Sequence, residues 1–551
     1  MILPKQFNIY MQKIFLKIIK QHQNLFYLII LLCIIFICYF RVIFFPFVHD
    51  DFIFAERFEF LPLGDVLLGI IDPRGKEFYR PLSNFYMLLL YKLFGLNSIP
   101  GHLISLLIHT INSFLVSKLC MTLTKNNLLG YITGIVFAVS LPIHIDILSW
   151  SLAGIQDLGN ELFFFLTILF YIHRKNLLSY MSFFLSLLFK ESSLILPLIL
   201  FVYTAFSENC KSFHGLLRLF KKLTVYFLVL IVFLIIKSFG ISPLYVAIDH
   251  PYRMDIIGTH IIKNYLSYLG WMMQVIIPYT GEIKVIWYIL LILALVCGQL
   301  IYSWFLGKRN ASISLKKIGF LYIWVILALI PAVFLPNHTY RYYAVYSLPP
   351  FLVAHLTFGY WLLNVCNKVA SSLTHKNMFL EFSIFLVLFS IINSNLVFKQ
   401  GLYQKVYLDG TNLLIPRSNL VNIIRRDLTI NLPNLPANSV IVFKNVDLGA
   451  ISGASALRLW YQDKTIQVFL WKDLEKDERG YFIWKNFHKE YISRSNLFIF
   501  KMTGTKLVPI ELIPWRKDVL ICITYWYMII LIYCFKNFIS VTEAKRHGRY
   551  F

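Results

Sequence analysis

Long runs of apolar residues without charges recur along the chain and define its class. Clear examples are residues 25–40, 285–306, 318–336, 342–363 and 519–535. Each run is close to the roughly 20 residues that a helix needs to cross about 30 Å of hydrocarbon. A helix also satisfies its own backbone hydrogen bonds in lipid, whereas barrel strands would be shorter and would alternate apolar with polar positions. The pattern therefore predicts a polytopic α-helical membrane protein.

Positively charged clusters between the apolar runs predict the topology. Lysine and arginine hold loops in the cytoplasm, and seven such clusters can be placed on one side if the chain crosses twelve times with both termini inside. Residues 261–278 are apolar enough for a helix, but counting them as a crossing would move residues 308–317 outside. We therefore interpret 261–278 as an interfacial or re-entrant helix, and 48–100 as the first outer loop.

Composition agrees with this class. The chain has 551 residues, of which 58% are hydrophobic and only 15% charged, whereas soluble domains are about 25% charged. The net charge of +24 would suggest nucleic acid in a soluble protein, but here it follows the predicted cytoplasmic loops, so no nucleic-acid partner is predicted. The eight cysteines show no disulfide framework or metal-binding spacing.

The last third of the chain changes character. Residues 399–517 are polar, contain five prolines and include short β-like runs at 439–443, 465–470 and 496–500. We predict three parts: a transmembrane domain over 1–398, a small α/β outer domain over 399–517, and a final membrane helix with a basic cytoplasmic tail over 518–551.

The first outer loop opens with two adjacent acids, Asp50 and Asp51, directly after the first membrane helix. Carboxylates at the hydrocarbon boundary are costly unless they are solvated, paired or used. Such a carboxylate can accept a proton from an attacking hydroxyl, or bind Mg²⁺ or Mn²⁺ through its oxygens. It can equally cap a helix or begin a polar loop, and the motif alone leaves these interpretations open.

Further polar residues fall at predicted outer boundaries in four separate stretches of the sequence. Basic side chains among them can bind phosphate, and acids inside apolar helices indicate functional cavities or paired charges. Anchoring at the interface and helix packing are the alternatives for each stretch. The convergence of acids and cations on one face favours a reaction with a phosphate leaving group. These candidates for substrate binding are Tyr79, Arg80, His144, Asp146, Asp157, Lys190, Glu191 and Arg341.

The order and spacing of these residues resemble a known superfamily over about the first 210 residues. The matching text is Asp50-Asp51, Tyr79-Arg80-Pro81-Leu82, Gly101-His102 through His109, His144 through Trp150, Ala153 through Asp157, and Lys190-Glu191-Ser192, with a weaker match at Arg341-Tyr-Tyr343. The chain is similar to the GT-C polyprenyl-phosphate-sugar glycosyltransferases, and within them to the transmembrane O-mannosyltransferases that usually carry TPR repeats. It departs from them in Asp146, where Glu is commoner, in Gln156, where Arg is usual, and in lacking the TPR array.

The resemblance implies a GT-C-like bundle with an outer active site. It implies that Asp50 or Asp51 is the catalytic base and that Arg80, Lys190 and Arg341 help to bind the carrier phosphate. The donor would be a polyprenyl-phosphate sugar, with mannose or another hexose transferred, and the acceptor a protein or a glycan. No cofactor is required on this interpretation, although Mg²⁺ or Mn²⁺ at the two aspartates stays open.

Two alternatives from other classes remain at this point. A transporter would need paired repeats and broken helices around a midplane site, and neither is clear in the sequence. A non-catalytic membrane scaffold would need only the bilayer and a partner for its outer domain. The expected location is a bacterial inner membrane, with the site facing the periplasm or the exterior.

Overall fold

The structure is a computed structural model that describes residues 22–208, 212–241, 246–247, 250–276, 297–298, 315–369, 414–471 and 497–513, together with 384, 388 and 392. The chain divides into two compact units, Met1–Val421 and Asn422–Phe551. The predicted helices at 285–306, 379–397 and 519–535 fall largely or wholly outside the described residues, as does the predicted boundary at 399.

The first unit is built from helices. They are α1 (Gln23–Tyr39), α2 (Asp50–Phe60), α3 (Leu63–Ile71), α4 (Pro81–Phe94), α5 (Ile99–Thr124), α6 (Asn127–Ala138), α7 (Leu141–Ser149), α8 (Ile155–Ile172), α9 (Asn176–Phe189), α10 (Leu196–Ser207), α11 (Phe213–Ser238), α12 (Thr259–Ile276), α13 (Leu315–Val333) and α14 (Leu348–Val369), followed by α15 (Leu414–Asn431) at the boundary of the two units. Short 3-10 segments occur at Phe40–Phe44, Glu191–Ile195 and Arg341–Tyr346.

The membrane class is confirmed by helix length and by exposed apolar surface. Within the described residues, five helices are long and apolar enough to span a bilayer, or six if the bent pair α6 and α7 is one span. Helix α11 shows the pattern most clearly, because Leu228, Ile231, Val232 and Ile235 are exposed. Apolar side chains on an outer face at helical spacing are suited to lipid. The chain is a multi-pass integral membrane protein, while the twelve crossings stay a prediction.

The predicted first outer loop, 48–100, contains three short helices, α2, α3 and α4. Helix α4 begins at Pro81, whose missing N–H costs nothing in a first turn. It ends at Gly95, where a φ of 57° requires a residue without a Cβ.

The pattern of apolar runs predicts that His144 and Asp146 lie in a very short outer loop. This prediction was wrong, because both residues lie in a helix, α7. Helix α6 stops at Ala138, and α7 starts again after a bend of 51°. Pro142 in the first turn of α7 has no N–H to continue the preceding helix. The break turns α7 into the bundle, so all nine of its residues are buried.

The second unit confirms the predicted small mixed sheet. Its strands are β1 (Val440–Lys444), β2 (Gln467–Leu470), β3 (Leu497–Thr503) and β4 (Lys506–Ile513), in the order β2-β1-β3-β4. Strand β1 pairs in parallel with β2 and β3, and β3 pairs antiparallel with β4. Helix α16 (Ser455–Tyr461) lies between β1 and β2 in the sequence. The first three strands match the predicted β-like runs, and β4 was not predicted.

Candidate active site

Asp51 is fully buried in the first turn of α2, where backbone groups surround its carboxylate. The donors are the N–H groups of Val48, Ser151, Leu152 and Ala153, at 3.4, 2.9, 2.8 and 2.9 Å. Burial raises the pKa of Asp51 to about 6, although these four hydrogen bonds act to lower it. The carboxylate thereby ties α2 to the loop between α7 and α8. This environment favours an anchoring role for Asp51.

Asp50 is in a different environment. Its side chain is 36% exposed, and one of its oxygens lies 2.6 Å from Nδ1 of His49. His49 has a φ of 52°, which is uncommon for a residue with a side chain and is typical of strained functional loops. Of the two predicted bases, Asp50 is therefore the one that an acceptor can reach. A divalent cation bound jointly by Asp50 and Asp51 fits poorly, because both oxygens of Asp51 already accept hydrogen bonds.

The difference between the two acids predicts different outcomes for matched substitutions. In Asp51→Asn an NH₂ group, which can only donate, would replace one of the two carboxylate oxygens. The backbone N–H groups that donate to that oxygen would lose their acceptor, at a cost of about 1–3 kcal/mol for each buried donor left unpaired. We expect a clear fall in the thermal unfolding temperature of the purified protein in detergent, and no such fall for Asp50→Asn. An Asp51→Asn protein as stable as the wild type would contradict the anchoring role.

Arg80 forms a buried ion pair with Glu191 and also bonds to Gln156. It precedes α4, and its Nε donates to Glu191 at 2.8 Å while Nη2 donates to the second oxygen of the same carboxylate. Its Nη1 donates to Gln156 Oε1, and its guanidinium lies 4.3 Å from the ring centroid of Phe78. Burial alone would raise the pKa of Glu191, but the charge of Arg80 outweighs it and holds that pKa well below its usual range. The family's usual arginine at position 156 would place a second cation against Arg80, which Gln156 avoids.

Lys190 forms a second buried pair, with Asp157. Its Nζ lies 2.6 Å from an oxygen of Asp157 and 5.1 Å from the ring centroids of both Tyr342 and Tyr343. Burial lowers the pKa of Lys190, and the charge of Asp157 opposes that effect. Asn160 of α8 donates to the backbone oxygen of Lys190 and so supports the chain where α9 ends. The two pairs lie close enough for Arg80 and Glu191 to act electrostatically on Lys190.

An aromatic wall lies between the two ion pairs. His338 lies 4.2 Å from Tyr252 and 4.5 Å from Tyr340, measured between ring centroids, and its Nε2 is 3.3 Å from the hydroxyl of Tyr342. Burial lowers the pKa of His338 to about 3, with Lys190 and Arg80 adding to the effect and Asp50 opposing it. His338 is therefore neutral near pH 7. Arg80, through Phe78 and Tyr252, and Lys190, against Tyr342 and Tyr343, therefore border the same aromatic wall, and Asp50 acts on His338 electrostatically.

Arg341 begins the segment Arg341–Tyr346, which packs against α7, the helix that carries Asp146. Arg341 is buried, donates to Gln274 at 3.1 Å and lies 5.5 Å from the ring of Trp271. Its charge acts on Asp146 of α7, and both Asp146 and Asp50 act on Tyr340.

A cavity of about 310 Å³ lies beside the ion pairs. One side is apolar, with residues of α13 and of the Glu191–Ile195 segment, and the other carries polar groups. Lys237, near the end of α11, lines the polar side together with Glu191 and Tyr252. Within the described part of the chain, no carboxylate lies within ion-pair distance of Lys237. The cavity thus combines an apolar wall with an available cation.

Two predicted residues lie elsewhere. Tyr79 packs against Phe233, with 6.3 Å between ring centroids. His144 is fully buried in α7 and faces Glu161 of α8 at 3.7 Å. Neither has a hydrogen bond or ring contact to Arg80, Lys190 or Asp50 among the contacts of the described residues. Their predicted roles in substrate binding gain no support from these positions.

Sequence reasoning missed Tyr252, His338 and Lys237. Tyr252 falls in residues 240–282, the stretch around the predicted helix at 261–278 whose topology was ambiguous by hydropathy. Lys237 ends an apolar run where a lysine is expected as an interfacial anchor. The tyrosine-rich run from His338 to Tyr343 was the one available signal.

Comparison with known proteins supports the resemblance for part of the chain. No protein-family model matches the sequence. Protein O-mannosyl-transferase tmtc2 of Xenopus laevis is 36% identical over 94 residues, which is 17% of this chain and 11% of that protein. The chain therefore has partial homology to an O-mannosyltransferase and covers a small share of its length.

Among solved structures, the chain aligns with ArnT from Cupriavidus metallidurans bound to undecaprenyl phosphate. The alignment covers 87% of this chain and 93% of ArnT, with 12% identity and a TM-score of 0.47.

Proposed function

We propose that this protein is a membrane glycosyltransferase that moves a sugar from a polyprenyl-phosphate donor to a hydroxyl of a protein or glycan on the extracytoplasmic face. The observation that carries the proposal is the pair of ion-paired cations, Arg80 and Lys190, around one aromatic wall beside a cavity with an apolar side. A partly exposed acid, Asp50, acts electrostatically on the same wall and is the proposed base. The partial homology to an O-mannosyltransferase supports it and suggests mannose as the first sugar to test.

The proposed reaction is a single inverting displacement. The acceptor hydroxyl attacks the anomeric carbon as Asp50 takes its proton, and the bond from that carbon to the phosphate oxygen breaks with its electron pair leaving on the phosphate. General base catalysis of this kind contributes about 10²–10⁴-fold to the rate. Aromatic side chains such as Tyr252 and Tyr340 offer faces against which a sugar ring can pack.

The leaving phosphate requires positive charge that is free to act on it. Arg80 and Lys190 are each neutralised by an acid, at Glu191 and Asp157, so the two pairs together carry no net charge. Lys237 adds a cation on the cavity wall. We propose that Lys237 attracts the donor phosphate while Arg80 and Lys190 supply pre-oriented donors, since preorganised groups cost no reorganisation during the reaction. The apolar wall then holds the first isoprene units.

The test is direct. Purified protein is incubated with polyprenyl-phosphate mannose, glucose or N-acetylhexosamine, together with a peptide or glycan acceptor, and the lipid products are separated. Consumption of a donor with release of polyprenyl phosphate, and a product of inverted anomeric configuration, is expected. Consumption of no donor by folded protein reconstituted in bilayers would contradict the proposal.

Replacing Lys237 tests the phosphate assignment. Lys237→Met removes the charge and keeps the length, so we expect the KM for the lipid donor to rise by about 5- to 30-fold, as for loss of one charge-assisted contact of about 1–2 kcal/mol. Lys221→Met, an exposed position on the same helix, is the control and should change little. An unchanged KM for Lys237→Met would remove Lys237 from the donor site.

A further inference from the structure

A cluster of two histidines and one acid lies inside the helix bundle, apart from the residues assigned to the reaction. His109 is on α5, His144 on α7 and Glu161 on α8, and all three side chains are fully buried. One ligand atom from each residue lies within 4.8 Å of the others. Three helices therefore bring metal-binding groups to one point.

The hydrogen bonds around the histidines leave one lone pair on each ring without a partner. His109 Nε2 lies 3.0 Å from the backbone oxygen of Ala138, which can only accept, so that nitrogen carries the proton and Nδ1 does not. Nδ1 of His109 has no hydrogen-bond partner in the described structure. A histidine that donates one N–H to a carbonyl while presenting its other nitrogen is the usual arrangement at a metal site.

His144 is oriented in the same way through its other nitrogen. Ser140 donates its hydroxyl proton to the carbonyl of Phe137 at 2.5 Å, so its oxygen accepts from His144 Nδ1–H at 2.8 Å. Nε2 of His144 is therefore unprotonated, and it also has no hydrogen-bond partner in the described structure. Both rings thus present a bare nitrogen.

Glu161 completes the set. Its Oε2 lies 3.7 Å from His144 Nε2, too far for a hydrogen bond. Its Oε1 has no partner among the described residues, and neither has Oδ1 of Asn112, whose amide donates to Glu161 at 3.3 Å. No lysine or arginine of the described chain lies within ion-pair distance of Glu161. A buried carboxylate and two bare imidazole nitrogens without partners are costly unless a cation joins them.

We propose that His109, His144 and Glu161 bind a zinc ion that clamps α5, α7 and α8 together. Neutral imidazole and carboxylate ligands suit Zn²⁺ better than Mg²⁺ or Ca²⁺, which prefer oxygen. Ligand bonds of about 2.0–2.2 Å place tetrahedral ligands about 3.4 Å apart. The His144–Glu161 distance of 3.7 Å is close to this value, and the ligand atoms as a set, which lie within 4.8 Å of one another, would move together by up to about 1.4 Å on binding. The complete burial of the three residues gives the ion a structural role. This site is independent of the proposed transfer reaction.

Metal analysis tests the site. The protein is produced without a polyhistidine tag, purified without chelators, and analysed by plasma mass spectrometry before and after exposure to Zn²⁺ and dialysis. We expect about one zinc ion per chain in the wild type and roughly a tenth of that in His144→Gln and Glu161→Gln. His102→Gln is the control, because His102 is equally buried on α5 but has both ring nitrogens bonded, to Leu148 and Phe45.

Two results would overturn the site: folded wild-type protein that neither contains nor takes up zinc, or Glu161→Gln and His144→Gln proteins that keep a full equivalent. If the variants do not fold, X-ray absorption at the zinc edge of the wild type decides the matter. Two imidazole ligands with oxygen support the proposal, whereas sulfur ligands or no imidazole contradict it. None of these measurements depends on transferase activity, so failure of the site and failure of the proposed function can be told apart.

Discussion

Asp50→Asn is expected to reduce sugar transfer by about 10²–10⁴-fold, the contribution of a general base, while the protein stays folded. The substitution keeps size and hydrogen-bonding atoms but removes the group that takes the acceptor proton. Because the Asp50 side chain is 36% exposed and holds no backbone segment in place, its loss should not destabilise α2. The rate is measured as release of polyprenyl phosphate per unit time at saturating donor.

The control for Asp50→Asn is Asp65→Asn, an exposed acid in the same outer loop. It should transfer sugar at the wild-type rate. If Asp50→Asn kept full activity, the base would have to be another group, and Asp146, which also acts on Tyr340, would be the next to examine. A protein that lost activity together with its unfolding transition would show misfolding instead of a chemical defect, and circular dichroism distinguishes the two.

Arg80→Met is expected to destabilise the protein by about 3–5 kcal/mol, because it leaves the carboxylate of Glu191 buried without its partner. Both side chains are largely buried, at 12% and 20% exposure, so solvent screens the pair only weakly. The paired substitution Arg80→Met with Glu191→Gln removes both charges and should recover most of the stability. The free energies of unfolding of the wild type, Arg80→Met and the double variant are compared by unfolding in detergent, followed by intrinsic fluorescence.

Activity separates the structural role of Arg80 from its proposed role with the donor. The double variant should be folded and still transfer poorly, since the guanidinium that would orient the phosphate is absent. The control is Arg74→Met, whose pair with Asp72 is solvent-exposed and should matter little. Full transfer by the double variant would show that Arg80 serves only to hold Glu191 and Gln156.

How much of the site could be predicted depended on whether a residue's partner lies close in sequence. The cations at Arg80 and Lys190 were recognised, but not that each is already neutralised, because Glu191 is 111 residues from Arg80 and Asp157 is 33 from Lys190. The pairing changes the chemistry: the available positive charge on the cavity wall is that of Lys237, a residue that the sequence analysis did not single out.

The sequence alone also cannot distinguish the roles of two neighbouring acids. In sequence Asp50 and Asp51 are equivalent, and either could be the base. Only the fold brings the backbone of residues 151–153 against Asp51 and leaves Asp50 at the surface. Likewise His144 appeared as a polar residue of an outer loop, whereas the bend after α6 places it inside the bundle beside Glu161.

The sequence by itself determined that the chain crosses the membrane repeatedly and carries a small mixed sheet near its end, because hydrophobic length and strand-like alternation are local properties. It also located most of the charged residues of the site, since charges in apolar surroundings stand out without a fold. The tertiary structure decided which acid is reachable, which cations are paired and which histidines face an acid. Those outcomes depend on contacts between residues from 17 to more than 100 positions apart, and no local pattern encodes them.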